Sequence, residues 1–167
     1  MKAITIRQPW ASLIASGEKR YETRSWPTKY RGPIAIHAGK QDDPDVFQYL
    51  LCKIATMEQL EACGITPETL QKLPHGAVIA TAELVDVYRI ESYHGKIRGR
   101  TIPNIHDPLT GAVMFPSVQE INLGYWHAGM YAWDLQNVKI LPEPIPAKGK
   151  QGLWDWEPGE EAPAWKK

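Results

Sequence analysis

Lys19, Glu22 and Arg24 stand within six residues of one another, and two indoles, Trp10 and Trp26, bracket them. Arginine and lysine can hold a phosphate or the acceptor edge of a base. Glutamate can accept from an exocyclic amine or a ring N–H, and an indole can stack on a base plane. That is the minimum set for reading an unstacked nucleotide. The same residues also fit a Lys–Glu–Arg surface network over a Trp-rich core, and composition alone does not choose between the two.

The common catalytic templates are missing. His37, His75, His94, His106 and His127 form no HExxH pair and are not spaced with cysteine, so no metal site is expected. There is no GxGxxG and no GxxxxGK[ST], and no cofactor is implied. "AKGKQG" at 147–152 is read as a flexible turn in preference to a phosphate cradle. Cys52 and Cys63, eleven residues apart, suit buried thiols near a helix.

The elements that must position the candidate residues follow from pattern. Ala3–Arg7 reads as a strand, and "QPWASLIASG" as a short helix with Pro9 in its first turn and Gly17 as a left-handed cap. "KRYETRSW" is extended, with a bulge after Gly17 able to rotate Lys19 off its face. Ile34–His37 is a further strand. Residues 42–73 form a helical insert, one helix running from Asp45 to about Cys63 with Gly64 as its stop, the next capped by Thr66 with Pro67 in its first position. Gly76–Ile90 is strand-like with a bend. Residues 91–124, punctuated by glycine and proline, read as a long loop, "GMYAWDLQNVKIL" as a strand, and 157–167 as a loose tail. The order suggests one α+β domain, mainly β, with a curled sheet or barrel carrying short helices.

The chain has 167 residues, 43% of them hydrophobic, and formal net charge +0. This excludes a wholly disordered chain. No apolar run approaches a membrane span, and Arg7 and Pro9 interrupt any signal-peptide core, so a soluble cytoplasmic protein is expected. The zero hides a segregation. Residues 1–40 carry eight Lys/Arg against two carboxylates, residues 41–87 two against eight, residues 88–101 four against one, and the tail from 148 balances. Local field steers a polyanion more than net charge does.

"ITIRQPWASLIASGEKRYETRSWPTKYRGPIAIHAG" resembles the ASCH (activating signal cointegrator homology) domain family of the PUA-like superfamily. The likeness rests on Gln8-Pro9-Trp10-Ala11, on Gly17, Lys19, Glu22 and Arg24 in G-x-K-x-x-E-x-R, on Trp26, and on Tyr30-Arg31-Gly32. Gly76-Ala77, Tyr131-Ala132-Trp133, Pro146-Ala147-Lys148-Gly149 and Gly152-Leu153-Trp154 extend it over nearly the whole chain. The resemblance implies a PUA-like β-barrel with a short N-terminal cleft helix and a helical insertion. Gln8 and Trp10 would border the cleft, and Lys19, Glu22 and Arg24 would line it. Trp26 would stack or wall the pocket. Arg31, Arg98 and Arg100 would extend a phosphate track, and Tyr125, Trp126 and His127 would form a lid. The implied partner is RNA or a nucleotide, with DNA as an alternative.

Some small members of the family are amidohydrolases acting on acetylcytidine, with Lys19 and Glu22 then at catalytic positions. Those members carry Thr where this chain has Glu22, and a carboxylate cannot replace a hydroxyl nucleophile without changing the mechanism. Weak ribonuclease action, with Lys19 as acid or clamp and Glu22 as base, is the other enzymatic alternative. A protein-interaction role would use exposed aromatics and the proline-rich turn at 142–147.

Overall fold

The computed structural model describes residues 1–40, 54–97, 100–107 and 109–158. The expected helix start at Asp45, Cys52, Arg98 and the tail from Gly159 lie outside them. Strands dominate: β1 (Lys2–Ile6), β2 (Tyr21–Arg24), β3 (Gly32–Ala38), β4 (Ala77–Ile97), β5 (Arg100–His106), β6 (Val113–Met114), β7 (Tyr131–Pro146) and β8 (Leu153–Asp155). Helices α1 (Trp10–Ala15), α2 (Ile54–Ala62), α3 (Pro67–Leu70) and α4 (Val118–Leu123) are short.

The strands form one curled, half-barrel sheet in the order β2-β7-β4-β3-β1-β8, with β5 on the outer part of β4 and β6 on β5. β1 and β3 run parallel, Lys2 opposite Ile34 and Ile6 opposite Ala38, so α1 and β2 fill the crossover between them. β4 and β7 are long, and their pairing shifts register at three places. Each shift adds local twist, and together they curl the sheet. The result is the PUA-like α+β arrangement expected from the sequence.

Alternation along the strands builds two cores. Ile4, Ile6, Ile34, Ile36, Leu84, Trp133 and Leu135 pack with Ala11 and Ile14 of α1, while Ala3, Ala35 and Val78 pack with Leu141, Trp154 and Trp156. Leu13 leaves α1 on its other side, meeting Leu60, Ile65 and Leu123. Helix α1 is therefore held between the sheet and a layer made of α2 and α4. That fixes where its N-terminus and Trp10 point.

Local chemistry sets the ends. Gly17 (φ +82°) turns the chain off α1, and its N–H donates to Ile14 O. Gly64 (φ +75°) ends α2 in the same manner. Thr66 caps α3 in a reciprocal box with Thr69, and Pro67 opens the helix. Pro9 sits one position earlier than expected, as the N-cap of α1.

Residues 91–124 differ from the sequence expectation of a long loop. β4 continues to Ile97, β5 returns along it, β6 adds two residues and α4 follows. The pairing shifts between Ser92 and Lys96, which destroys the period-two pattern a strand normally displays. Pro103 stands opposite Ser92 of β4, and among the described residues β6 pairs with Ile105 and His106 and not with the proline. No helix among the described residues is long and apolar enough to cross a membrane.

Candidate functional site

A cleft of about 1370 Å³ opens where the ends of β1, β3 and β7 meet the α1–β2 corner. This exceeds the roughly 300–1,000 Å³ of small-molecule pockets. Thr5, Ile6 and Arg7 come from β1 and its end, Trp10 from α1, and Lys19, Glu22, Thr23, Arg24 and Trp26 from the corner and β2. His37, Gly39 and Lys40 follow from the end of β3, Tyr125 and Met130 from the segment before β7, and Pro146 to Gly152 from the strap after it. Six of these are Lys or Arg (Arg7, Lys19, Arg24, Lys40, Lys148, Lys150), and one is a carboxylate, Glu22. Arg7, Lys40, Lys148 and Lys150 are exposed.

The structure brings the motif residues together with divided roles. Glu22, 8% exposed, has Oε1 3.0 Å from Arg24 Nε. Arg24 is anchored a second time, its terminal nitrogen donating to Thr5 O at 2.6 Å. Lys19 is only 1% exposed and sits at the floor. Its Nζ donates to Tyr21 O and lies 3.7 Å from Glu120 Oε2. Glu120 also accepts from the backbone N–H groups of Arg20 and Tyr21. Lys19 thus ties the motif corner to α4 and does not stand at the rim. Beside it, Arg20 makes a bidentate pair with the buried Asp134, both contacts at 2.6 Å.

Trp10 and Trp26 both reach the cleft. Trp10 Nε1 donates to Leu123 O at 2.7 Å, and Trp26 meets Trp133 edge-on at 4.7 Å. Of the expected lid, Tyr125 lines the cleft and its ring lies 3.9 Å from that of His127. Trp126 is tied down by Glu120 O at 2.7 Å and packs against Tyr21.

Two expected site residues lie elsewhere. Gln8 does not line the cleft: its Nε2 donates to Pro74 O at 2.7 Å and its Oε1 accepts from Ser12 N–H. It satisfies a free donor in the first turn of α1 and braces the turn before β4. Arg31 is spent on Asp86 at 2.5 Å and on the carbonyls of Thr28 and Tyr30, because β3 pairs with β4 and places the two side by side. The side chain of Arg100 is outside the described residues, as is Arg98.

The strap at 147–152, expected from the sequence to be a flexible turn, is part of the cleft wall. It lines the cleft and is docked at both ends, Ala147 N–H donating to Gly76 O and Thr5 Oγ1 donating to Lys150 O. His37, 1% exposed, lies beneath it with Nε2 3.0 Å from Ala147 O. A carbonyl only accepts, so Nε2 carries the proton and Nδ1 keeps a lone pair that has no protein partner. A Cβ on Gly149 would lie 2.5 Å from His37 Cε1 and 3.0 Å from Thr5 Oγ1, so only glycine lets the strap approach this closely.

Burial pushes the His37 pKa below the ordinary histidine value, against a smaller opposing effect from Ala147 O. The unfolded chain then binds a proton at higher pH than the native state does. Stability from this group is full above about pH 6.5 and falls as the pH drops through that value toward the folded pKa. The thermal midpoint is expected to decline between about pH 7.5 and about pH 5, and His37→Phe to decline less steeply. An identical slope in the two proteins would contradict this.

Among the described residues no group of His, Cys, Asp and Glu could hold a metal ion. Cys63 is a half-buried free thiol whose pKa is raised by burial, with Glu18 adding to the effect.

Against known proteins, the family model described as "ASCH domain" matches residues 4–141. Activating signal cointegrator 1 of Mus musculus is 37% identical over 84 residues, and that of Homo sapiens 36% over the same length. The match takes in 50% of this chain but covers only 14% of either relative.

Proposed function

The chain belongs to the ASCH domain family, and from that premise we propose that it is a nucleic-acid-binding module holding single-stranded RNA, or one of its nucleotides, in the basic cleft. One observation carries the reading: among the described residues, six cationic side chains and one carboxylate gather around a cleft with Trp10, Trp26 and Tyr125 in its lining. Phosphates supply affinity through cations, while flat rings receive unstacked bases. Lys40, Lys148 and Lys150 are the phosphate track, Trp26 and Tyr125 the stacking walls, and Glu22 the group facing a base edge. Hydrolysis of an acylated nucleoside has no comparable support, since Lys19, the base it would need, is engaged by Glu120 and Tyr21 O.

Fluorescence anisotropy of a labelled single-stranded RNA tests the proposal. A saturating rise that weakens as KCl is added is expected. Absence of binding at about 10⁻⁴ M protein, the weak end of ordinary non-specific association, would overturn it.

A further inference from the structure

The cleft contains a group that a pure phosphate channel would not. Among the described residues Glu22 is the one carboxylate in a lining with six cations, and it is buried to 8% exposure. A carboxylate in the lining repels phosphate and, beyond its pairing with Arg24, suits a ligand with N–H donors. Glu22 is ion-paired: Arg24 Nε stands 3.0 Å from Oε1 without hydrogen-bond geometry, and Arg24 is itself held by Thr5 O. An ionised carboxylate accepts through about four lone-pair sites on two oxygens, so the Arg24 contact leaves capacity on both.

We propose that Glu22 makes the cleft selective for guanine. This rests on the nucleic-acid reading above and names the base it prefers. Guanine presents two parallel donors, N1–H and the N2 amine, on one edge, matching the two oxygens of a carboxylate. Uracil offers one N–H flanked by two carbonyls, which face the carboxylate with like partial charge. Cytosine and adenine each pair one amine with an adjacent ring-nitrogen acceptor and fall between. Hypoxanthine keeps N1–H but lacks the amine. Burial and the ion pair with Arg24 restrict the Glu22 side chain, which lowers the rotamer entropy lost on binding. Trp26 and Tyr125 in the same lining provide rings for stacking without choosing among bases.

The test compares single-stranded uridine heptamers in which the central base is guanine, hypoxanthine or uracil, by anisotropy at one salt concentration. The guanine heptamer is expected to bind about tenfold or more tighter than the all-uridine one, the discrimination one bidentate pair supplies. The hypoxanthine heptamer is expected to lose most of that advantage. In Glu22→Gln the guanine-to-uridine ratio is expected to fall to about threefold or less; the ratio is read within one protein, so a general change in affinity cancels. The hypoxanthine arm uses the native protein and stands even if the variant misfolds. Equal binding of all three heptamers with salt-dependent affinity intact would overturn the guanine assignment and leave the nucleic-acid reading standing. A guanine preference unchanged in folded Glu22→Gln would overturn it as well. Failure of every heptamer to bind would overturn both.

Discussion

Glu120→Ala is expected to cost about 3–5 kcal/mol of folding stability, the price of leaving one member of a buried ion pair without its partner. Lys19 is 1% exposed, and Glu120 is the carboxylate that faces its Nζ, at 3.7 Å. The alanine also removes the acceptor for Arg20 N–H and Tyr21 N–H, two backbone donors at the corner that launches β2. Lys19→Met is expected to cost less, about 1–3 kcal/mol, because Glu120 keeps its backbone donors and the stem still packs. Urea unfolding measures both, with the shift in midpoint at constant slope giving the difference. Equal losses in the two variants, or a loss below about 1 kcal/mol for Glu120→Ala, would contradict a buried charge pair at this corner. The cleft should loosen too, since Lys19 and Glu22 stand on the segment Glu120 clamps.

The second large effect concerns binding. Lys40, Lys148 and Lys150 are exposed and line the cleft. Changing all three to alanine is expected to alter stability by about 1.5 kcal/mol at most, since each surface change usually stays within about 0.5 kcal/mol. Each phosphate contact on a single strand contributes about 0.7 to the slope of log K against log salt. Losing three contacts lowers that slope by about 2, equivalent to about a hundredfold in affinity at 0.1 M salt relative to a 1 M reference. Isothermal titration with single-stranded RNA at several KCl concentrations reads both numbers. An affinity drop without a change in slope would mean that these lysines shape the strap and do not meet phosphate.

Much of the frame was legible in the chain because its signals are local. Gly17 and Gly64 mark helix ends through left-handed backbone, and Thr66-Pro67 marks a start. The family string placed Trp10, Lys19, Glu22, Arg24 and Trp26 around one cleft, where the structure has them. What escaped notice is non-local. Lys148 and Lys150 belong to a tail whose charges sum to zero, yet Pro146 pairs with Ala77 and so returns the strap to the end of β3. Only that register makes them cleft residues. In the sequence His37 is one histidine among five, and its burial under Gly149 depends on the same return. Gln8 and Arg31 satisfied motif position, but nearer partners, Pro74 O and Asp86, claim them.

Helix α4 could have been found. Ser117 followed three residues later by Glu120, ahead of Ile121 and Leu123, is the sequence signature of a helix start, and Ser117 Oγ does accept from Glu120 N–H. Proline and glycine on either side of so short a helix mask that signal. The partner of Lys19 stands on this helix, far along the chain, so the burial of the lysine is not legible from the sequence around it.

Ultraviolet crosslinking of a 4-thiouridine-substituted single-stranded RNA, followed by mass spectrometry of the attached peptides, tests the central claim most directly. Crosslinks are expected on the segment from Trp10 to Lys40 and on the strap from Pro146 to Gly152, and they should disappear when unlabelled RNA competes. Crosslinks confined to the β5–β6 hairpin, or none that unlabelled RNA can displace, would contradict the cleft as the binding site.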